Sequence, residues 1–187
     1  MYRSLLDIKC PGVSNFPTVS VWRKIVPSKI CFFMWSVAHN KILMQDRMKR
    51  QGWNLASRCE LCCKEEETAN HLLAECTYTK QVWNIIKRIC RHLRFPLGNN
   101  IDTTLKNWLV DIPDGMEGWF SYCALHVVSW FIWIERNSRI FNGDMRDPDH
   151  TAGKTLKSVV GWGVANRKID NRSAASWLRD CSRQIHG

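Results

Sequence analysis

A chain of 187 residues with 45% apolar residues and ten tryptophans can fold around a core, which excludes wholesale disorder. Its formal net charge of +10 at pH 7 favours a nucleic acid or another anionic partner. The most apolar stretch, residues 119–134, is interrupted by polar residues and is shorter than the roughly 20 residues of a membrane span. This stretch predicts a buried helix, and no membrane partner is expected.

The cysteines indicate the cellular compartment. Their number, nine, is odd, and they are scattered along the chain, unlike the compact disulfide framework of a secreted protein. The first residues contain no apolar run long enough for a signal peptide. We therefore expect an intracellular protein, nuclear or cytoplasmic.

The first predicted elements are helices. Residues 1–20 contain a short helical start and a loop with proline and glycine. From Ser28, the expected N-cap, apolar residues recur every three or four positions and predict a helix over 28–38. A shorter helix is predicted over 44–51, with Met44 and Met48 facing inward.

The next segment has cysteine and histidine at metal-ligand spacing. Cys59 and Cys62 form a Cys-x2-Cys pair, and His71 and Cys76 follow within the next fourteen residues. Three thiolates and one imidazole favour Zn²⁺, and a four-ligand site of this kind is structural because no position is left for a water. The segment therefore predicts one structural zinc ion. Cys63 is an alternative to Cys62, or else a spare thiol beside the site.

Three consecutive glutamates, Glu65, Glu66 and Glu67, lie between the predicted ligands. A catalytic zinc would need an open coordination position and a nearby general acid or base, a role that these carboxylates could fill. Since four ligands are already present, we interpret the run as a solvated acidic turn.

Helical patterns continue to residue 167. Thr68 is expected to cap a short helix through His71, and Thr79 to cap a helix over 80–93 with one apolar and one basic side. Further helices are predicted near residues 103–110, 117–141 and 150–167. The predicted fold is all-α: a small helical domain around one structural zinc loop, followed by a C-terminal helical extension.

Several motifs together resemble a known family. They are Trp-x4-Pro-x-Lys at 22–29, Cys-x2-Cys at 59–62, Glu-x3-His-Leu at 67–72 and Cys-x6-Trp at 76–83. This combination resembles the zinc-binding domain that follows the reverse transcriptase of plant non-LTR (LINE-type) retrotransposons, over about residues 18–88. The resemblance implies that the zinc ligands are Cys59, Cys62, His71 and Cys76.

Two flanking stretches extend the resemblance. Residues 130–141, with two tryptophans and an Arg-Asn pair, are similar to a helix that usually follows this domain. Residues 1–5 resemble a stretch that precedes it, so Met1 is interpreted as an internal methionine of a longer reading frame. The predicted division is an upstream remnant (1–20), a reverse-transcriptase-type zinc-binding domain (21–95) and a helical C-terminal extension (96–187).

The resemblance implies binding without catalysis, because the polymerase would lie upstream and the chain has no Asp-Asp pair of the palm-site kind. No triad, P-loop or dinucleotide fingerprint is recognisable either, so we expect no enzyme. RNA or single-stranded DNA is the expected partner, with Trp53 or Tyr78 stacking on bases unless they have core or rim roles. The expected phosphate contacts are Arg47, Lys49, Arg50, Arg58, Lys80, Lys87, Arg88 and Arg91.

Two alternatives remain open. The chain could be an interaction scaffold that packs against a reverse transcriptase domain or another protein, which exposed apolar area would favour. It could also be the product of a decayed element with no cellular role.

Overall fold

The computed structural model describes residues 21–22, 25–91, 93, 95, 98, 100–110 and 115–186. These residues contain no β-strand, only a single antiparallel bridge between Arg58 and Glu66. The all-α prediction is therefore confirmed. In chain order the elements are α1 (Ser28–Ala38), α2 (Gln45–Arg50), a π-helical turn (His71–Glu75), α3 (Thr77–Ile89), α4 (Ile101–Val110), α5 (Gly115–Asn142), α6 (Pro148–Ala165) and α7 (Asn171–His186).

The predicted helix starts were partly right. Thr68 caps the short helix as expected, since its Oγ1 accepts a hydrogen bond from the His71 N–H at 3.0 Å. Ser28 is not the N-cap of α1, because that position is taken by Pro27, which makes no side-chain cap bond. Thr79 is not a cap either: α3 begins earlier, at Thr77, and the buried Thr79 hydroxyl donates to the Leu72 carbonyl at 2.6 Å.

The long helix α5 organises the core. Residues 119–129 are buried, as predicted for the stretch 119–134, whereas Trp130, Phe131 and Trp133 are partly buried and Ile134 is exposed. α1, α4 and α6 all pack against α5, and α6 also contacts α3 and α7. In the described part of the chain, no helix combines the length and apolar character needed to cross a membrane.

One hydrophobic core joins residues on both sides of the predicted boundary at residue 95. Met34, Leu72 and Ile86 from the N-terminal part lie in the same buried cluster as Leu125 and Leu156. The proposed division into a zinc-binding domain and an extension stays a prediction, but the two parts share their apolar interior.

The last helix, α7, was not predicted. Its apolar residues Ala174, Trp177 and Cys181 recur at helical spacing and pack inward, and Asp170 accepts hydrogen bonds from the first backbone N–H groups. An Asp cap followed by an i, i+3, i+7 apolar pattern is the signal that could have found it. It was missed because most of the surrounding residues are polar or charged.

Candidate metal centre

The four predicted ligands converge on one point. The sulfurs of Cys59, Cys62 and Cys76 and a ring nitrogen of His71 all lie within 4.8 Å of one another. Cys59 Sγ is 3.9 Å from Cys76 Sγ, and Cys62 Sγ is 3.3 Å from His71 Nε2. Since Zn–S bonds of about 2.3 Å place tetrahedral thiolates about 3.8 Å apart, the donor set fits a tetrahedral zinc ion.

The loop between the first two cysteines explains why Cys62, and not Cys63, joins the cluster. The Cys63 N–H donates to the Cys59 carbonyl at 2.8 Å, which closes a tight turn. Cys63 has a positive φ of 55° and an exposed side chain, so the chain turns away from the site at this residue. The alternative ligand therefore lies outside the group of atoms that could hold a metal ion.

The π-helical turn brings His71 and Cys76 to the same side of the chain. Residues five apart in an α-helix differ by about 140° around the axis, because each residue advances by about 100°. In a π turn the closing hydrogen bond joins residues i and i+5 directly. Here the Cys76 N–H donates to the His71 carbonyl at 2.7 Å, so the four-residue spacing between the two ligands matches the winding of this turn.

The thiols of Cys59 and Cys76 are hydrogen-bonded to each other. The hydrogen bond between them raises the pKa of Cys59 well above its usual range and lowers the pKa of Cys76, with burial opposing the second shift. Two buried sulfurs this close are suited to a metal cation, which would bind both as thiolates and release their protons. A closed set of four ligands would let such an ion cross-link the loop and the turn without offering it a catalytic role.

Glu67 corrects the prediction of a solvated acidic turn. Glu65 and Glu66 are exposed as expected, but Glu67 is fully buried. Its carboxylate accepts hydrogen bonds from the Gln45 N–H at 3.2 Å and from both Nε and an Nη of Arg136, an ion pair with 5% exposure on the arginine side. The run of three glutamates does not reveal that Glu67 is buried, because its partner, Arg136, lies far along the chain in α5.

A second arginine of α5 holds the cysteine turn. Arg139 Nη1 donates to the carbonyls of Glu60 and Leu61 at 3.2 and 3.1 Å, and Arg139 Nε pairs with Glu135 at 2.8 Å. These two carbonyls belong to the residues between Cys59 and Cys62. Arg139 therefore supports the predicted ligands from outside, and nothing in its local sequence indicates this role.

The expected nucleic-acid contacts fall into two groups. Exposed side chains are found at Lys49, Arg58, Lys80, Lys87, Arg88 and Arg91, although Arg88 donates to the Gln184 carbonyl at 3.2 Å and Arg91 to the Arg88 carbonyl at 3.1 Å. Arg47 is partly buried and donates to the Asn40 carbonyl, and Arg50 pairs with Asp46. The second group is thus engaged within the chain.

The two expected stacking residues also differ. Trp53 is 61% exposed, but Tyr78 is buried and its hydroxyl bonds Thr151 at 2.8 Å and the Asp147 carbonyl at 2.9 Å. Burial raises the pKa of Tyr78 to about 12, so the hydroxyl remains a donor at neutral pH. Tyr78 joins α3 to the start of α6, so of the two roles left open for it, base stacking or a place in the core, it has the core role.

Comparison with known proteins finds a family match for the N-terminal part of the chain. Residues 1–83 match the model of a family described as zinc-binding in reverse transcriptase. This range contains all four predicted ligands and ends at Trp83, inside α3. The match supports the expected resemblance in its general form. No curated protein and no solved structure is significantly similar to the chain.

Proposed function

We propose that the chain is a nucleic-acid-binding module held together by one structural zinc ion. It would derive from the polyprotein of a plant non-LTR retrotransposon, act in the nucleus or cytoplasm and have no polymerase activity of its own. The match to a zinc-binding region of reverse transcriptases and the Cys3His cluster support the zinc part of this proposal.

The basic face of α3 is the observation that carries nucleic-acid binding. Lys80, Lys87 and Arg88 are exposed along this helix, and its buried side is formed by apolar residues such as Val82 and Ile86. No aspartate or glutamate occurs between residues 76 and 101. A positive helix face without nearby carboxylates in its own segment suits a phosphate backbone. Because the face begins directly after Cys76, the metal cluster fixes the start of the helix that displays it.

A titration with labelled RNA or single-stranded DNA at several salt concentrations tests this function. The protein should bind at low salt, and log K should fall linearly with log salt. The variant Lys80→Gln/Lys87→Gln should weaken binding and reduce the slope by about 0.7 for each lost phosphate contact. Arg167→Gln/Lys168→Gln removes two exposed charges from the turn after α6 and serves as the control. Absence of binding at low salt would refute the function.

A protein-interaction scaffold is the second candidate. It is favoured by apolar side chains at the end of α5 and just beyond it, where Phe141 is 76% and Met145 is 72% exposed. In that case the partner would be a reverse transcriptase domain or another protein. Size-exclusion chromatography with light scattering, on the chain alone and mixed with such a domain, distinguishes the two functions.

A further inference from the structure

An open aromatic groove lies between α1 and α5. It encloses about 560 Å³, and the aromatic residues that line it are Trp22, Phe32, Phe33, Trp130 and Trp133. Phe33 is buried and packs against the rings of Trp130 and Trp133 at 5.5 and 5.9 Å, so these three form a fixed floor. Trp22 and Phe32 stand at the rim with 42% and 59% of their surface exposed. The groove therefore presents aromatic rings to solvent in front of a packed base.

Two lysines give the aromatic groove a positive charge. Lys29 and Lys41 both line it, and no carboxylate is among its described lining residues. Lys29 Nζ lies 5.7 Å from the centre of the Trp130 ring, and Lys41 Nζ lies 5.8 Å from that of Trp35. Trp35 in turn stacks on Phe32 with 5.8 Å between ring centres. Ammonium groups and accessible ring faces thus occur together along one edge of α1.

We propose that the aromatic groove is a stacking site for unpaired bases of single-stranded RNA or DNA. Phe32 and Trp22 would stack on bases, while Lys29 and Lys41 would pair with the phosphates on either side. This inference rests on the proposed function and adds the strand type and the place of base contact.

The combination of groups favours this occupant over a protein. Base stacking on aromatic side chains beside positive charge is how sequence-tolerant single-strand binding is achieved. A duplex fits less well, because its bases are already stacked on one another and their ring faces are covered. An apolar protein segment would use the rings but would gain little from the lysines.

Fluorescence anisotropy with a labelled 12-nucleotide single strand, and with a duplex of the same sequence, tests the groove. Phe32→Ala should weaken single-strand binding about 5- to 100-fold and leave the salt slope unchanged, because stacking releases no counterions. Phe32→Tyr should retain the affinity. Lys29→Gln should instead reduce the salt slope by about 0.7. Phe141→Ala removes an even more exposed ring outside the groove and should leave single-strand binding unchanged.

The outcomes separate the two proposals. If the wild-type protein binds with the expected salt dependence but Phe32→Ala binds equally well, the groove is not a base site and the proposed function stands. If Phe32→Ala loses the same affinity for the duplex as for the single strand, the groove is not a site for unpaired bases. If Phe32→Ala keeps its affinity but converts a dimer to a monomer in light scattering, the groove is a contact between protein chains. No binding by the wild type would reject the proposed function and the groove with it.

Discussion

Arg136 of α5 donates hydrogen bonds to both carboxylate oxygens of Glu67, which lies sixty-nine residues earlier in the segment between the candidate metal ligands. Both side chains are buried, with 5% and 0% exposure. The pair therefore connects the C-terminal part of the long helix α5 to the loop around the metal cluster, and the loop depends on residues far outside it.

Replacing Arg136 with alanine should lower the free energy of unfolding by about 3–5 kcal/mol, because the buried Glu67 carboxylate would be left without its partner. Urea denaturation followed by circular dichroism measures this loss. The double variant Glu67→Gln/Arg136→Met, which removes both charges, should be more stable than Arg136→Ala alone. Arg183→Ala, which breaks an exposed pair with Asp180, is the control and should change little. Equal midpoints for wild type and Arg136→Ala would contradict the assignment.

The ligand set predicts metal content residue by residue. Purified protein should contain one equivalent of zinc, and Cys59→Ser or His71→Ala should lose it, because three ligands no longer close a structural site. The same variants should lose ordered structure around the loop, which has few large apolar residues to stabilise it. Cys63→Ser, at the exposed neighbouring thiol, should keep the full equivalent. Elemental analysis measures the zinc content, and thermal unfolding with and without a chelator measures the loss of structure. A full equivalent of zinc in His71→Ala would show that His71 is not a ligand.

Arg139 should affect metal affinity without being a ligand. Replacing it with lysine keeps the charge, but one ammonium group cannot reach both the Glu60 and Leu61 carbonyls and the Glu135 carboxylate, which are bonded by different guanidinium nitrogens. Groups that orient a ligand loop typically contribute 10- to 100-fold in metal affinity, so we expect a loss in this range. Competition with a chromogenic chelator measures it. A loss of global stability with unchanged zinc affinity would show that Arg139 supports only the fold.

A fragment of residues 1–95 tests whether the predicted zinc-binding domain folds alone. The cut removes Arg136 and Arg139 and exposes the apolar residues that pack against α5 and α6. We expect such a fragment to unfold without a cooperative transition and to bind zinc more weakly than the full chain. Sharp melting with one tightly bound zinc would instead establish this part as an independent unit.

The helices and the metal cluster could be anticipated because their signals are local. Apolar periodicity gave α1, α5 and α6 to within about two residues of their observed bounds, but it placed α3 three to four residues too late, at 80–93 instead of Thr77–Ile89. The cysteine and histidine spacing gave the residues that the structure brings together. The π-helical turn was not foreseen, although the spacing from His71 to Cys76 is suited to it.

The burial of some polar side chains could not be predicted, because their partners lie far away in the sequence. Glu67 is one of three consecutive glutamates, and only Arg136 in a distant helix distinguishes it from its neighbours. Base stacking and a core role were both open for Tyr78 because it flanks the metal loop, and only the bonds of its hydroxyl to residues at the start of α6 decide between them. In both cases a polar side chain is buried because a partner far along the chain satisfies it.

The candidate metal centre has one accessible side. Cys59, His71 and Cys76 are buried, whereas Cys62 is partly exposed and stands beside the solvent-facing Cys63. A competing ligand in solution can reach the centre by displacing Cys62 while the other three ligands stay in place. Exchange of a metal ion would then begin at Cys62, and it would not require the whole protein to open first.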